Sequence, residues 1–229
     1  MKGLKLDRQR FIVASACLLG ALAAAGHAFA APATAAARAG AGKAAPVVLV
    51  LGDSLSAEYG LRRGTGWVAL LDKRLQERKI PARIVNASIS GETTSGGAAR
   101  LGALLKQHVP THLVLELGAN DALRGLPLKD TEANLQRMAG AAKAAGARVL
   151  IVGMEVPPNY GTAYTRAFSE IFGRVAKATG SQFVPFLLKG VADIPDAAGM
   201  FQADRIHPLE KAHPVMLDNV WPVLEPMLR

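Results

Sequence analysis

Cysteine is almost missing from this 229-residue chain, which has one, Cys17. That residue lies in an uncharged apolar run from Phe11 to Gly26, behind a start that carries Lys2, Lys5, Arg8 and Arg10 against Asp7. A basic start, a short apolar run and the small residues of Ala28-Phe29-Ala30 form the layout of a signal peptide spanning 1–30, with cleavage expected after Ala30. The run is short for a membrane span, so no stable insertion is expected after cleavage, and the expected location is periplasmic or secreted. Cys17 sits inside the run and not at its end, which argues against lipoprotein processing there. The mature chain then has no disulfide and depends on an ordinary core, although its compartment would permit disulfides.

Large apolar side chains are missing from residues 31–45, an Ala-rich stretch that reads as a flexible tether. Residues 46–229 suit a single domain with a substantial core, expected to be monomeric. Acidic residues are too few to balance the basic ones. The formal charge of +9 falls to +6 without the leader, which carries four basic and one acidic side chain. Such an excess suits anionic surfaces or substrates, such as phospholipid head groups or acyl carriers, but a solvated basic surface with no specific partner is the reading it favours. Aromatics are scarce, at 5% of residues, and the basic residues are scattered rather than striped, which argues against nucleic acid as the partner. No histidine pair has metal-ligand spacing, and Glu116 falls in a predicted strand. Gly64-Thr65-Gly66-Trp67-Val68-Ala69 fits a dinucleotide-binding pattern, but it begins well beyond the first strand, so no cofactor is expected.

From Pro46 onward, short apolar runs alternate with amphipathic segments. Pro46–Leu51 reads as a buried parallel strand, and further strands are expected over 83–87, 112–117, 148–152 and 182–185. Helices are expected over 66–79, from the mid-90s to near Pro110, and over 131–145, 164–178 and 209–224, with Gly146 and Gly180 as stops. Pro214 fits awkwardly near the start of the last helix. This order specifies a doubly wound α/β fold, a parallel five-stranded sheet with helices on both faces. Right-handed crossovers put every strand's C-terminal end on one edge. Ser54, Gly91, Asn120, Glu155 and the Asp204–His207 loop should therefore emerge together, where ligands bind in such sheets.

Gly52-Asp53-Ser54-Leu55-Ser56 presents a serine directly behind the first strand. A hydroxyl needs a base, and histidine matches that task near neutral pH. His108 and His112 lie on the far edge, and His213 belongs to the last helix. His207 alone sits in a loop on the near edge, with Asp204 three residues earlier to orient it. The backbone N–H groups of Ser54 and Gly91 and the side-chain amide of Asn120 are candidate donors to an oxyanion. Gly91 equally suits a plain turn, and Asn120 with Asp121 equally suits a helix cap; shared placement on one edge favours chemistry.

Those four blocks, Gly52–Ser56, the glycine of Asn86–Gly91, the asparagine of Gly118-Ala119-Asn120-Asp121 and Asp204-x-x-His207, resemble the blocks of the SGNH, or GDSL, hydrolase family. Within it, Ala103–His108, Leu123-Arg124-Gly125 and Asn159-Tyr160-Gly161 resemble its bacterial thioesterases, which also act as lysophospholipases and arylesterases. The resemblance implies a flavodoxin-like fold, a Ser54 nucleophile, a His207 base, an Asp204 orienting acid and an oxyanion hole from Ser54, Gly91 and Asn120. It implies hydrolysis of acyl esters and thioesters, such as acyl-CoA, lysophospholipid and aryl esters, through an acyl-enzyme. It also implies that the loop after Asn120, about Asp121 to Pro127, lines the acyl groove and can move; Asp121, Leu123, Leu126 and, from another loop, Tyr160 are the candidate substrate contacts, although the apolar ones equally suit core. Ala119, Glu92 and Arg205 depart from the family pattern without removing a catalytic group, which puts substrate preference in question. Two other readings stay open: a carbohydrate O-acetyl esterase of the cell envelope, and a catalytically silent envelope-binding module.

Overall fold

A computed structural model describes residues 45–229. The leader expected over 1–30 and all but the last residue of the expected tether lie outside the described residues.

Five strands carry the fold: β1 (Val47–Gly52), β2 (Arg83–Asn86), β3 (His112–Glu116), β4 (Arg148–Val152) and β5 (Gln182–Val184). They pair in parallel in the order β2-β1-β3-β4-β5, the flavodoxin-like arrangement. β1 and β3 are apolar almost throughout because both of their faces are covered, and Val48–Leu51 and Leu113–Leu115 are fully buried. Helices α1 (Trp67–Glu77) and α6 (His213–Met227) pack against each other. Helix α4 (Leu128–Ala144) packs against both α2 (Thr94–His108) and α5 (Thr162–Thr179). A fourteen-residue gap between β1 and α1, and the turn α3 (Ala119–Leu123) directly after β3, form loops at the sheet's C-terminal edge. The chain order reverses between β1 and β3, and a crevice at such a point is where α/β sheets bind ligands.

Gly146 and Gly180 end their helices as expected, both with positive φ. At Gly146 the stop is a Schellman motif: its N–H reaches the Lys143 carbonyl (2.9 Å) and the Ala147 N–H reaches that of Ala142 (2.9 Å). The last helix departs from expectation. It begins at His213 and not at 209, because Pro214, which has no N–H to give, belongs in a first turn where none is needed. It also runs on to Met227, past Pro222 and Pro226, since Leu224 and Met227 are both held in the core.

Val109, which ends α2, adopts φ 43°, ψ 56°, and is 71% exposed. A left-handed conformation is costly for any residue with a Cβ and more so for a branched one, by about 1–2 kcal/mol. Val109→Gly should therefore raise stability by up to about 1 kcal/mol, after the extra freedom glycine gives the unfolded chain is deducted. An unchanged or lower midpoint in urea denaturation would contradict this.

Candidate active site

Every residue of Gly52–Ser56 has an assigned place. A Cβ on Gly52 would lie 2.6 Å from Glu116 Oε2 and 2.8 Å from Ser56 Oγ, so only glycine lets the strand end pack there. Leu55 is buried in the core. Ser56 is buried too, and its hydroxyl donates to Glu116 Oε2 (2.7 Å) while accepting from Trp67 Nε1 (3.1 Å). Asn86 Nδ2 donates to the Ser56 carbonyl (2.7 Å), and the Ala57 N–H to that of Asp53 (2.9 Å). The turn that carries Ser54 is thus pinned from β2, β3 and α1.

Ser54 Oγ lies 2.9 Å from His207 Nε2, and His207 Nδ1 lies 2.7 Å from Asp204 Oδ2. With the ring proton on Nδ1 given to the carboxylate, Nε2 is left to accept from the serine hydroxyl. Asp204 Oδ1 also accepts the backbone N–H groups of Ile206 (2.9 Å) and His207 (3.0 Å). The three donors, the imidazole first, hold the Asp204 carboxyl down to about 2, so it is ionised wherever His207 is neutral. Arg205, between them, has φ 58°, the left-handed conformation that closes so short a loop. The Tyr59 ring packs on the imidazole with centroids 4.3 Å apart.

The other sequence-predicted residues arrive from the neighbouring loops. Asn120 Nδ2 donates to Asp53 Oδ2 (3.0 Å), and since the amide carries two N–H groups, one remains to be aimed elsewhere. Gly91 has φ 77° and its carbonyl accepts from Arg124 (2.8 Å), while the Ile89 N–H reaches the Gly52 carbonyl (3.1 Å) and ties this loop to the end of β1. Leu123, Leu126 and Tyr160, apolar yet 37–41% exposed, stand on loops at the same edge. Asp121 does not belong with them. It is 2% exposed, and its carboxylate is taken up by the backbone and hydroxyl of Thr94 and by the Thr131 hydroxyl, so it joins α2, α3 and α4. Two of the three excluded histidines are structural: His112 Nε2 is paired with the Met227 carbonyl, and His213 Nδ1 accepts the first N–H of α1, from Trp67 (3.0 Å). Among the described residues no group of three or more His, Cys, Asp or Glu could hold a metal ion.

Sequence reasoning passed over the acids beneath Ser54. Glu116 is buried at the end of β3 and receives the Asp53 N–H (3.3 Å) as well as Ser56. Its one signal was a carboxylate closing a strand whose middle, Leu113–Leu115, is wholly apolar. Burial, with the nearby Asp53 charge, pushes the Glu116 carboxyl well above the ordinary range. Burial also raises Asp53 to about 6, against the pull of the Leu55 N–H, His207 and Asn120. A carboxyl raised on folding contributes stability below its unfolded value that is lost as pH rises through about 6. Relative to wild type, Asp53→Asn should therefore gain stability between pH 5 and pH 8. Parallel thermal melts with the same offset at both values would contradict this.

The GDSL-like Lipase/Acylhydrolase family profile matches residues 50–214. Esterase TesA of Pseudomonas aeruginosa is 51% identical over 185 residues, 81% of this chain and 90% of that protein. Thioesterase 1/protease 1/lysophospholipase L1 of Escherichia coli K12 is 41% identical over 185 residues, 81% of this chain and 86% of that one. The crystal structure of the psychrotrophic esterase EstA from a Pseudoalteromonas species, inhibited by monoethylphosphonate, superposes with a TM-score of 0.74 at 38% identity, covering 80% of this chain and 98% of that one. With its sheet order, its serine turn and these relatives, this chain belongs to the GDSL-like lipase/acylhydrolase family of ester hydrolases.

Proposed function

We propose that this chain is an exported serine hydrolase that cleaves carboxylic esters and thioesters of acyl chains through an acyl-enzyme on Ser54. The unbroken run from Ser54 Oγ through His207 to Asp204 carries the reading. Ser54 Oγ attacks the acyl carbon while its proton passes to His207 Nε2. The charge on the imidazolium is balanced by Asp204, which stays ionised. The oxyanion is received by the N–H groups of Ser54 and Gly91 and by the second amide proton of Asn120, whose first is engaged by Asp53. Collapse of this intermediate breaks the ester or thioester bond, and His207 returns the proton to the departing alcohol or thiol. Water, deprotonated by His207, then releases the acid and restores Ser54.

Leu123, Leu126 and Tyr160 offer apolar surface beside this chemistry, which suits an acyl chain better than a sugar. The relatives' names, esterase and thioesterase/lysophospholipase, support the same substrate class. Export rests on the signal-peptide layout of the first thirty residues; no described helix is long and apolar enough to cross a membrane.

Ser54→Ala should lower turnover of p-nitrophenyl esters by about a thousandfold or more, and Asn120→Ala by about a hundredfold. Retention of wild-type rates by purified Ser54→Ala would overturn the nucleophile assignment. Across a panel from acetyl to palmitoyl esters and thioesters, turnover should persist at octanoyl and beyond. Hydrolysis confined to acetyl groups would favour the carbohydrate esterase reading.

A further inference from the structure

The loop that carries His207 is folded back on itself. Phe201 and Pro208 form an antiparallel bridge, the Gln202 N–H donates to the His207 carbonyl (2.8 Å) and the Arg205 N–H to that of Gln202 (2.9 Å). Gln202, half-buried at the neck of this loop, reaches out of it. Its Nε2 donates to the carbonyls of Tyr59 (3.0 Å) and Pro208 (3.2 Å). Both partners can only accept, so chemistry fixes which end of the amide faces them. On the other side, the Tyr59 N–H donates to the Ser54 carbonyl (3.4 Å). The bonds form a closed circuit: Ser54 to His207 through their side chains, His207 to Gln202, Gln202 to Tyr59 and Tyr59 back to Ser54.

The next residue makes room for this contact. Gly60 has φ 69°, and a Cβ there would lie 2.2 Å from Gln202 Oε1. Glycine thus serves both the backbone turn and the seat of the amide. Tyr59, whose carbonyl the amide holds, is also the residue whose ring packs on the imidazole.

We infer that Gln202 is a positioning residue that keeps the base in line with the nucleophile by tying the main chain of one loop to that of the other. This rests on the assignment of Ser54 and His207 as nucleophile and base. Gln202 touches no reacting atom; it acts through the spacing of two groups that do. Misplacement of a catalytic group by about 1 Å can cost about a hundredfold in rate.

Gln202→Leu keeps the bulk and removes both donors. With p-nitrophenyl acetate, whose acyl group is too short to need the groove, kcat should fall by about ten- to a hundredfold while KM stays within about twofold. Unchanged kcat, or a loss seen only in KM or in the yield of folded protein, would overturn the inference. Should Gln202→Leu fail to fold, Gly60→Ala is the second probe, since the added methyl displaces the amide and should lower kcat alone. In Gly60→Ala/Gln202→Ala there is no amide left to displace and only the cost of a Cβ in the left-handed backbone remains, so the combined loss in kcat should be clearly smaller than the product of the two single losses; losses that multiply in full would overturn the inference. Full activity in the Gln202 variants beside an inactive Ser54→Ala overturns the positioning role and leaves the serine hydrolase reading standing. Wild-type hydrolysis by Ser54→Ala does the reverse.

Discussion

The 2.9 Å contact between Ser54 Oγ and His207 Nε2 joins residues 153 positions apart, and much of the structure serves to keep it. Neither partner sits in a regular element. Ser54 is in the turn after β1, and His207 is in the loop ahead of α6. Their meeting depends on where those elements are held, and the parallel sheet sends both loops to one edge. The packing of α1 on α6, bonded through Trp67 and His213, brings the second loop over the first. At the surface, Arg62 on the long loop after β1 pairs with Glu210 just beyond His207 (2.9 Å), in an exposed contact that adds little energy.

Three carboxyl groups are buried around the serine turn, an expensive place for negative charge. Each is bound by at least one donor from a distant part of the chain. Asp53 holds Asn120 and the Leu55 N–H, Glu116 holds Ser56 and the Asp53 N–H, and Asp121 holds Thr94 and Thr131. The loops after β1 and β3 and the start of α2 are thereby locked to one another by hydrogen bonds. Burial shifts Asp53 and Glu116 upward together, with the Asp53 charge adding to the rise at Glu116 and the Asp121 charge to the rise at Asp53, so the serine turn rests on a pair that resists full ionisation. Asp204, with its three donors at the edge of solvent, shifts the other way. Two aspartates near one serine are thus separated by environment into a buried acid raised by its surroundings and an ionised partner for His207.

The strands and most helices were legible because apolar periodicity reports burial, and burial is local information once a parallel sheet is assumed. Ser54, Asp204 and His207 were legible for a related reason, since their order along the chain placed them at the ends of elements that must share an edge. Asp121 was misjudged because Leu123 and Leu126 close by in sequence are exposed, whereas its side chain turns inward to Thr94, which periodicity cannot reveal. Glu116 and Gln202 were overlooked for want of any local sign of their partners: what Glu116 does depends on Ser56, and what Gln202 does depends on a carbonyl 143 positions away. The start of α6 was misplaced by one turn, although Pro214 carried the information in its missing N–H.

Reaction of the purified protein with a fluorophosphonate, read by intact mass and peptide mapping, tests the arrangement at Ser54 most directly. A nucleophile activated by His207 predicts one phosphonyl group per chain, on the Ser54 peptide, with the reaction suppressed in His207→Ala. No adduct, an adduct on another residue, or labelling of Ser54 at an undiminished rate in His207→Ala would contradict it.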